Sequence, residues 1–254
     1  MRFFISITYN GEHYSGWQKQ PNATSVQETL ENALSIALGC RTAVTGAGRT
    51  DTGVSATDYT AHFDTETDIA EAGALVCKMN AILPHDIAVN FIARVAPEAH
   101  ARFDATSRTY RYRVHTAKDP FAYHSYYCKF PLDIDKMNEA AALLLGTRDF
   151  SSFEKVGSDN TNSVCTLTKA RWTALDSSHL EFEISANRFL RNMVRAIVGT
   201  LIDVGRGRTA VEEIPSILEA GDRCAAGQSV PGEPLLLCRI EYPYELLPIS
   251  SFSR

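Results

Sequence analysis

From Gly46 to Ala56 the chain runs Gly46-Ala47-Gly48-Arg49-Thr50-Asp51-Thr52-Gly53-Val54-Ser55-Ala56. Three glycines, one arginine and one lone carboxylate stand in eleven residues with no apolar period, which excludes a buried strand or an amphipathic helix. The stretch reads as a loop whose backbone needs glycine's freedom. Asp51 sits at its centre, two residues after Arg49. A cation beside a carboxylate favours the ionised form, which is the form a nucleophile or general base needs.

Other readings of the same residues compete. Gly/Thr/Asp clusters are commonly surface turns in which Asp caps a backbone N–H. The pair Gly46 and Gly48 suggests a dinucleotide loop, but Asp51 occupies the place of the third glycine, so that fingerprint fails. Asp51-Thr52-Gly53 is the aspartic-protease triplet, yet that chemistry needs two facing aspartates and no second triplet occurs.

The segment Gly48-Arg49-Thr50-Asp51-Thr52-Gly53-Val54 resembles the catalytic loop of the tRNA pseudouridine synthase A family, usually written Gly-Arg-Thr-Asp-Ala-Gly-Val-His. The resemblance covers nearly the whole chain. It includes Tyr9-Asn10-Gly11, Tyr14-Ser15-Gly16-Trp17-Gln18, Ser25-Val26-Gln27 and Asn80-Ala81-Ile82-Leu83-Pro84. It continues with His100-Ala101-Arg102-Phe103, Arg108-Thr109-Tyr110-Arg111-Tyr112, Asp149-Phe150-Ser151-Ser152-Phe153 and Asn192-Met193-Val194-Arg195. Thr52 stands for the usual alanine, Ser55 for the usual histidine, and Pro234-Leu235-Leu236-Leu237 where Gly-Leu-Tyr-Leu is common.

The elements follow from pattern and punctuation. Arg2 to Tyr9 reads as a strand into the turn Asn10-Gly11. Ser25-Val26-Gln27-Glu28 is a capping box, and Val26, Leu30, Leu34 and Leu38 recur every four residues up to Gly39, predicting a helix with both ends marked. Strands are expected over Thr57 to Phe63 and Ile87 to Val95, with a helix from Asp68 to about Leu83. The linker Pro97 to about Ser107 divides the chain into 1–105, carrying the Asp51 loop, and 106–254. In the second half, Arg108 to His115 alternates, with Tyr110, Tyr112 and Val114 on one face. A helix over Asp133 to Leu145, strands over Cys165 to Leu175 and Leu180 to Ile184, a helix over Asn187 to Val204 and a strand over Leu235 to Glu241 complete the scheme. The fold expected is α+β, two similar halves with antiparallel sheets backed by helices and an active-site cleft between them.

The net charge of −5 gives no hint of nucleic acid, so any such binding must come from local clustering. In a helix from Asn187, Arg188, Arg191 and Arg195 would share an arc of about 60°, opposite Leu190, Val194, Ile197 and Leu201. Arg206 and Arg208 follow, against one acid, Asp203. Such a face is either an ordinary solvated one or a grip on RNA phosphates. The six cysteines include no Cys-x-x-Cys pair, and the seven histidines show no metal spacing. No targeting segment and no membrane span are read, which leads us to expect a cytoplasmic protein.

The resemblance implies conversion of uridine to pseudouridine at positions 38, 39 and 40 of the tRNA anticodon stem-loop. Asp51 would be the catalytic carboxylate, with Arg49 and Arg195 holding it ionised and Arg49 helping to displace the target base. Tyr110 would stack on the uracil, Leu235 would supply apolar surface beneath it, and Arg188 and Arg191 would bind RNA. No cofactor or metal is implied. The partners implied are tRNA and a second copy of the chain. Two other readings stay open: an RNA-binding module in which Asp51 has no chemistry, and an aspartic hydrolase.

Overall fold

The computed structural model describes residues 1–158 and 160–249. They form two units, Met1–Thr106 with the chain from Leu237 onward, and Ser107–Leu236. In the first, the strand β1 (Arg2–Tyr9) lies between β3 (Ser55–Asp64) and β4 (Ile87–Val95), antiparallel to both. The short β2 (Thr45–Gly46) pairs with the far end of β3, and β10 (Leu235–Glu241) runs beside β3. Helix α1 (Val26–Leu38) is bounded as its sequence demands. Ser25 Oγ accepts the Glu28 N–H at 3.3 Å, and Gly39 ends the helix in the left-handed region at φ 74°. Helix α2 (Ala72–Ile82) starts four residues later than expected from Asp68 and packs on β4.

Five consecutive residues of β1, Phe3 to Ile7, are buried. Successive side chains of a strand point to opposite faces, so both faces of this strand are covered. Phe4 packs with Ala99, Ala101, Tyr242 and Leu246. The hydroxyl of Tyr242 donates to Ala101 O at 2.7 Å, and Thr106 N–H donates to Glu241 O at 2.8 Å. These bonds group the chain from Leu237 with the first unit, whereas the sequence reading left all of 106–254 in the second.

His62 shares this buried layer and receives the Ala101 N–H on Nδ1 at 3.1 Å. Burial, with the nearby Arg2 cation and His100, pushes its pKa down to about 4. The unfolded chain therefore takes up this proton first as pH falls below about 6.5, and the contribution to stability present above that pH is lost toward pH 4. Unfolding free energy should drop by about 2 kcal/mol between pH 7.5 and 5 from this group. Urea titrations at both pH values, repeated with His62→Gln, test it. An equal loss in the variant would assign the effect elsewhere.

In the second unit the strand order is β5 (Ser107–His115), β9 (His179–Ala186), β8 (Val164–Ala174), β7 (Gly146–Asp149), antiparallel throughout. The short β6 (Tyr126–Tyr127) joins β5 in parallel. Arg111 and Arg113 on the outer face of β5 are held by Glu183 and Glu181, each at 3.0 Å. Helix α3 (Ile134–Ala142) packs on β8 and on α4 (Met193–Gly205), and α5 (Ile214–Ala220) follows. Each unit is thus a mainly antiparallel sheet with helices packed on it, as the expected class requires.

The expected helix from Asn187 is not there at its start. Residues 187–192 are irregular, and Asn192 has φ 68°. Their backbone bonds run elsewhere: Asn187 N–H to Thr166 O at 3.2 Å, and Arg191 O accepting from Lys155 N–H at 3.0 Å. Leu190, Val194, Ile197 and Leu201 are all buried, so the apolar stripe is real but its first rung sits in a turn. Arg188 and Arg191 therefore precede the helix, and the shared arc of three arginines does not exist.

Candidate functional site

The Asp51 loop is held by aromatic residues from both sides of it in the sequence, Tyr9 and Trp17 before it and Tyr59 after it. Tyr9, Trp17 and Tyr59 form a buried cluster, with ring centroids of Trp17 and Tyr59 4.1 Å apart and those of Tyr9 and Tyr59 5.7 Å apart. Buried tyrosines need partners for their hydroxyls, and both find them on this loop. Tyr9 Oη pairs with Thr50 Oγ1 at 2.9 Å, and Tyr59 Oη donates to Gly48 O. Backbone bonds close the seat: Trp17 N–H to Thr50 O at 3.2 Å and Gly53 N–H to Tyr14 O at 3.3 Å.

Glycine is required where these segments meet. Gly16 has φ +88°, and a Cβ there would lie 2.3 Å from Thr50 O. A Cβ on Gly46 would lie 2.1 Å from Tyr59 Oη and 2.5 Å from the Trp17 ring. Tyr14, whose hydroxyl donates to Asp86 at 2.8 Å, anchors the other side of the seat. The Tyr14-to-Trp17 block is thus the cradle of the loop.

Both departures from the usual motif have a place. Ser55 Oγ accepts the Gly11 N–H at 3.0 Å and donates to Asn10 Oδ1 at 3.4 Å, tying the Asn10-Gly11 turn to the start of β3. Thr52 is exposed. The outcome is a carboxylate, Asp51, partly exposed between buried Thr50 and Val54, with Arg49 exposed on the same loop. A fixed backbone carrying an accessible carboxylate suits nucleophilic or general-base chemistry.

In the second unit, Tyr110 shares a face of β5 with fully buried Tyr112 and Val114 but is itself only half-buried. Its ring meets Phe189 edge-to-face, centroids 5.2 Å apart at 89°. Phe189 was missed by the sequence reading, which placed it on a helix among arginines. Arg108 donates to Asn187 O at 2.7 Å, so β5 and the segment 187–192 are joined at this point. Arg188 reaches Asn162, at 3.3 Å to the side-chain oxygen, and Arg191 is exposed.

Arg195, on α4, donates from Nε to Val230 O at 2.7 Å, while Val230 N–H returns a bond to Arg195 O at 3.2 Å. The segment 226–232 is seated on this helix so closely that a Cβ on Gly199 would meet Gln228 O at 1.8 Å. Tyr112 donates to Pro231 O at 3.2 Å, and Leu235, 5% exposed, follows. Arg206 lies over the Phe130 ring at 3.8 Å, and Arg206 and Arg208 both approach Asp203 at 3.8 Å. Those two arginines belong to a local network rather than to a bare basic stripe. Among the described residues no group of three His, Cys, Asp or Glu could hold a metal ion, and no helix is long and apolar enough to cross a membrane.

A family model described as tRNA pseudouridine synthase matches residues 140–243. The tRNA pseudouridine synthase A of Parabacteroides distasonis is 50% identical over 250 residues, 98% of this chain and 98% of that protein. That of Bacteroides fragilis is 49% identical over 246 residues, 96% and 98% of the two chains. That of Bacillus subtilis is 40% identical over 248 residues, 95% and 99%. Among solved structures, a chain of a Cbf5-Nop10-Gar1 complex aligns with 92% of this chain and 57% of its own at 10% identity and a TM-score of 0.38.

Proposed function

The chain belongs to the tRNA pseudouridine synthase A family, and we propose on that premise that it isomerises uridines of the tRNA anticodon stem-loop at positions 38, 39 and 40. The observation that carries the reading is the Asp51 loop, a carboxylate on a backbone clamped by Tyr9, Trp17 and Tyr59. The reaction breaks the bond between uracil N1 and ribose C1′ and forms one between C5 and C1′. The C5 proton is lost and N1 gains one, so nothing is oxidised and the reaction itself calls for no redox cofactor. Asp51 attacks the nucleotide or takes a ribose proton, and both roles need its charge.

Arg49 and Arg195 are the cations of the chemistry, and Arg49 also displaces the target base. Tyr110 stacks on the extruded uracil, offsetting stacking lost in the RNA, and Leu235 offers it apolar surface. Arg188 and Arg191 contact phosphate. The enzyme works as a cytoplasmic homodimer on tRNA. Transcripts carrying 5-tritiated uridine at one position each test the assignment. Tritium release is expected from positions 38, 39 and 40. Release only from uridines outside this stem-loop would refute it.

The arginines should separate by assay. Arg191→Ala should weaken tRNA binding and lower the salt slope by about 1, because one phosphate contact and its counterion are lost. Arg195→Ala should act mainly on the single-turnover rate, with a smaller change in affinity. Filter binding at several salt concentrations, beside single-turnover assays, distinguishes them. Equal losses of affinity with unchanged rates would make both simple phosphate grips.

A further inference from the structure

The block His100-Ala101-Arg102-Phe103 has no role in the proposed chemistry, yet its turn is braced by several hydrogen bonds. His100 Nδ1 accepts two backbone N–H groups, from Arg102 at 3.1 Å and Phe103 at 3.3 Å. Asp104 Oδ2 accepts from His100 N–H at 2.8 Å and from Tyr244 Oη at 2.7 Å, and Asp104 N–H returns to His100 O at 3.0 Å. Those donors hold the Asp104 carboxyl below its usual range. Beneath, Ala101 donates to buried His62 at 3.1 Å and accepts from Tyr242 Oη at 2.7 Å.

What all this bracing presents is an exposed phenyl ring. Phe103 is 74% exposed, and none of the bonds just named uses its side chain, since they are made by its neighbours and its own backbone N–H. Its ring leans on the His100 imidazole, centroids 4.2 Å apart, and the Arg102 guanidinium lies 5.7 Å from its centroid. A rigid turn that holds an aromatic ring in water with a cation beside it has the two parts of a nucleotide-binding platform: a surface for a base and a charge for its phosphate.

We propose that Phe103 is a base-stacking platform for the bound tRNA, engaging a nucleobase through its exposed ring with Arg102 beside the adjoining phosphate. The proposal rests on the reading of the protein as a tRNA-modifying enzyme and adds a binding residue to it. Phe103 stacks on RNA and takes no part in bond making, so its loss acts on affinity.

Phe103→Ala and Phe103→Trp test this. The alanine variant should melt as the unmodified protein does and bind an unmodified tRNA transcript about five- to a hundredfold more weakly, with an unchanged salt slope, since a stack and not a phosphate contact is removed. The tryptophan variant should bind within a few-fold of the unmodified protein. Its added indole should be quenched on binding, and that signal is separable because the two native tryptophans, Trp17 and Trp172, are 3% and 1% exposed. Unchanged affinity in Phe103→Ala would overturn the proposal, as would an unquenched indole on bound tRNA. An affinity loss matched by dissociation of the protein's own oligomer in sedimentation would overturn it in favour of a self-association surface. If the unmodified protein neither binds nor modifies tRNA, the functional reading falls and takes this proposal with it; tRNA modified normally by a protein indifferent to Phe103 sinks this proposal alone.

Discussion

Asp51→Asn should lower turnover by about a thousandfold or more while leaving the melting temperature and tRNA affinity nearly unchanged. The substitution keeps the shape of the side chain and removes the charge that either route of catalysis requires. The bonds made by the Thr50 hydroxyl and by the carbonyls of Gly48 and Thr50 are untouched by the substitution, so they continue to hold the seat. Single-turnover rates at saturating tRNA isolate the chemical step from binding. A variant within tenfold of the unmodified enzyme would remove Asp51 from catalysis.

The second large effect is expected at Tyr110. Tyr110→Ala removes the ring proposed to receive the extruded uracil, a stack worth about 1–3 kcal/mol, and the edge-to-face contact with Phe189. Turnover should fall by about a hundredfold or more, because a base that is not held in place is not presented to the carboxylate. Tyr110→Phe keeps both ring contacts and should bind tRNA nearly normally, turning over more slowly if the hydroxyl moves a proton. A tyrosine needed only for the core would behave differently: the alanine variant would melt early, yet whatever stayed folded would be fully active. Thermal melts and single-turnover assays on both variants decide between these outcomes.

Much of this was legible in the sequence because the signals were local. Ser25 and Gly39 marked the ends of α1, and the ranges read for Ile87–Val95 and Leu235–Glu241 are those of β4 and β10. The glycine-framed stretch Gly46 to Ala56 reads as a loop, although Gly46 at one end and Ser55-Ala56 at the other belong to strands. What escaped depends on contacts distant in sequence. Gly46 and Gly48 were read as freedom for a turn, whereas Gly46 is there because Trp17 and Tyr59 leave no room for a side chain.

The error at Asn187 has the same origin. Periodicity reports which side chains are buried, and Leu190 is buried, but it does not report where the backbone bonds go. Those of 187–192 go to Thr166 and Lys155, and Asn192 turns left-handed before α4 begins. The aromatic partner of Tyr110 was hidden by this, since Phe189 falls inside the stretch read as a basic helix. The return of the chain from Leu237 to the first unit was equally invisible, because Tyr242 and Tyr244 bond to Ala101 and Asp104 across about 140 positions.

Position-resolved pseudouridine mapping decides whether this chain alone isomerises tRNA uridines through Asp51. An unmodified tRNA transcript is incubated with the protein alone, and in parallel with Asp51→Asn at concentrations where both are bound. Pseudouridine is expected at positions 38, 39 and 40 with the unmodified protein and none with the variant. Equal conversion by both, or no conversion by an unmodified protein that binds the transcript, would contradict this expectation.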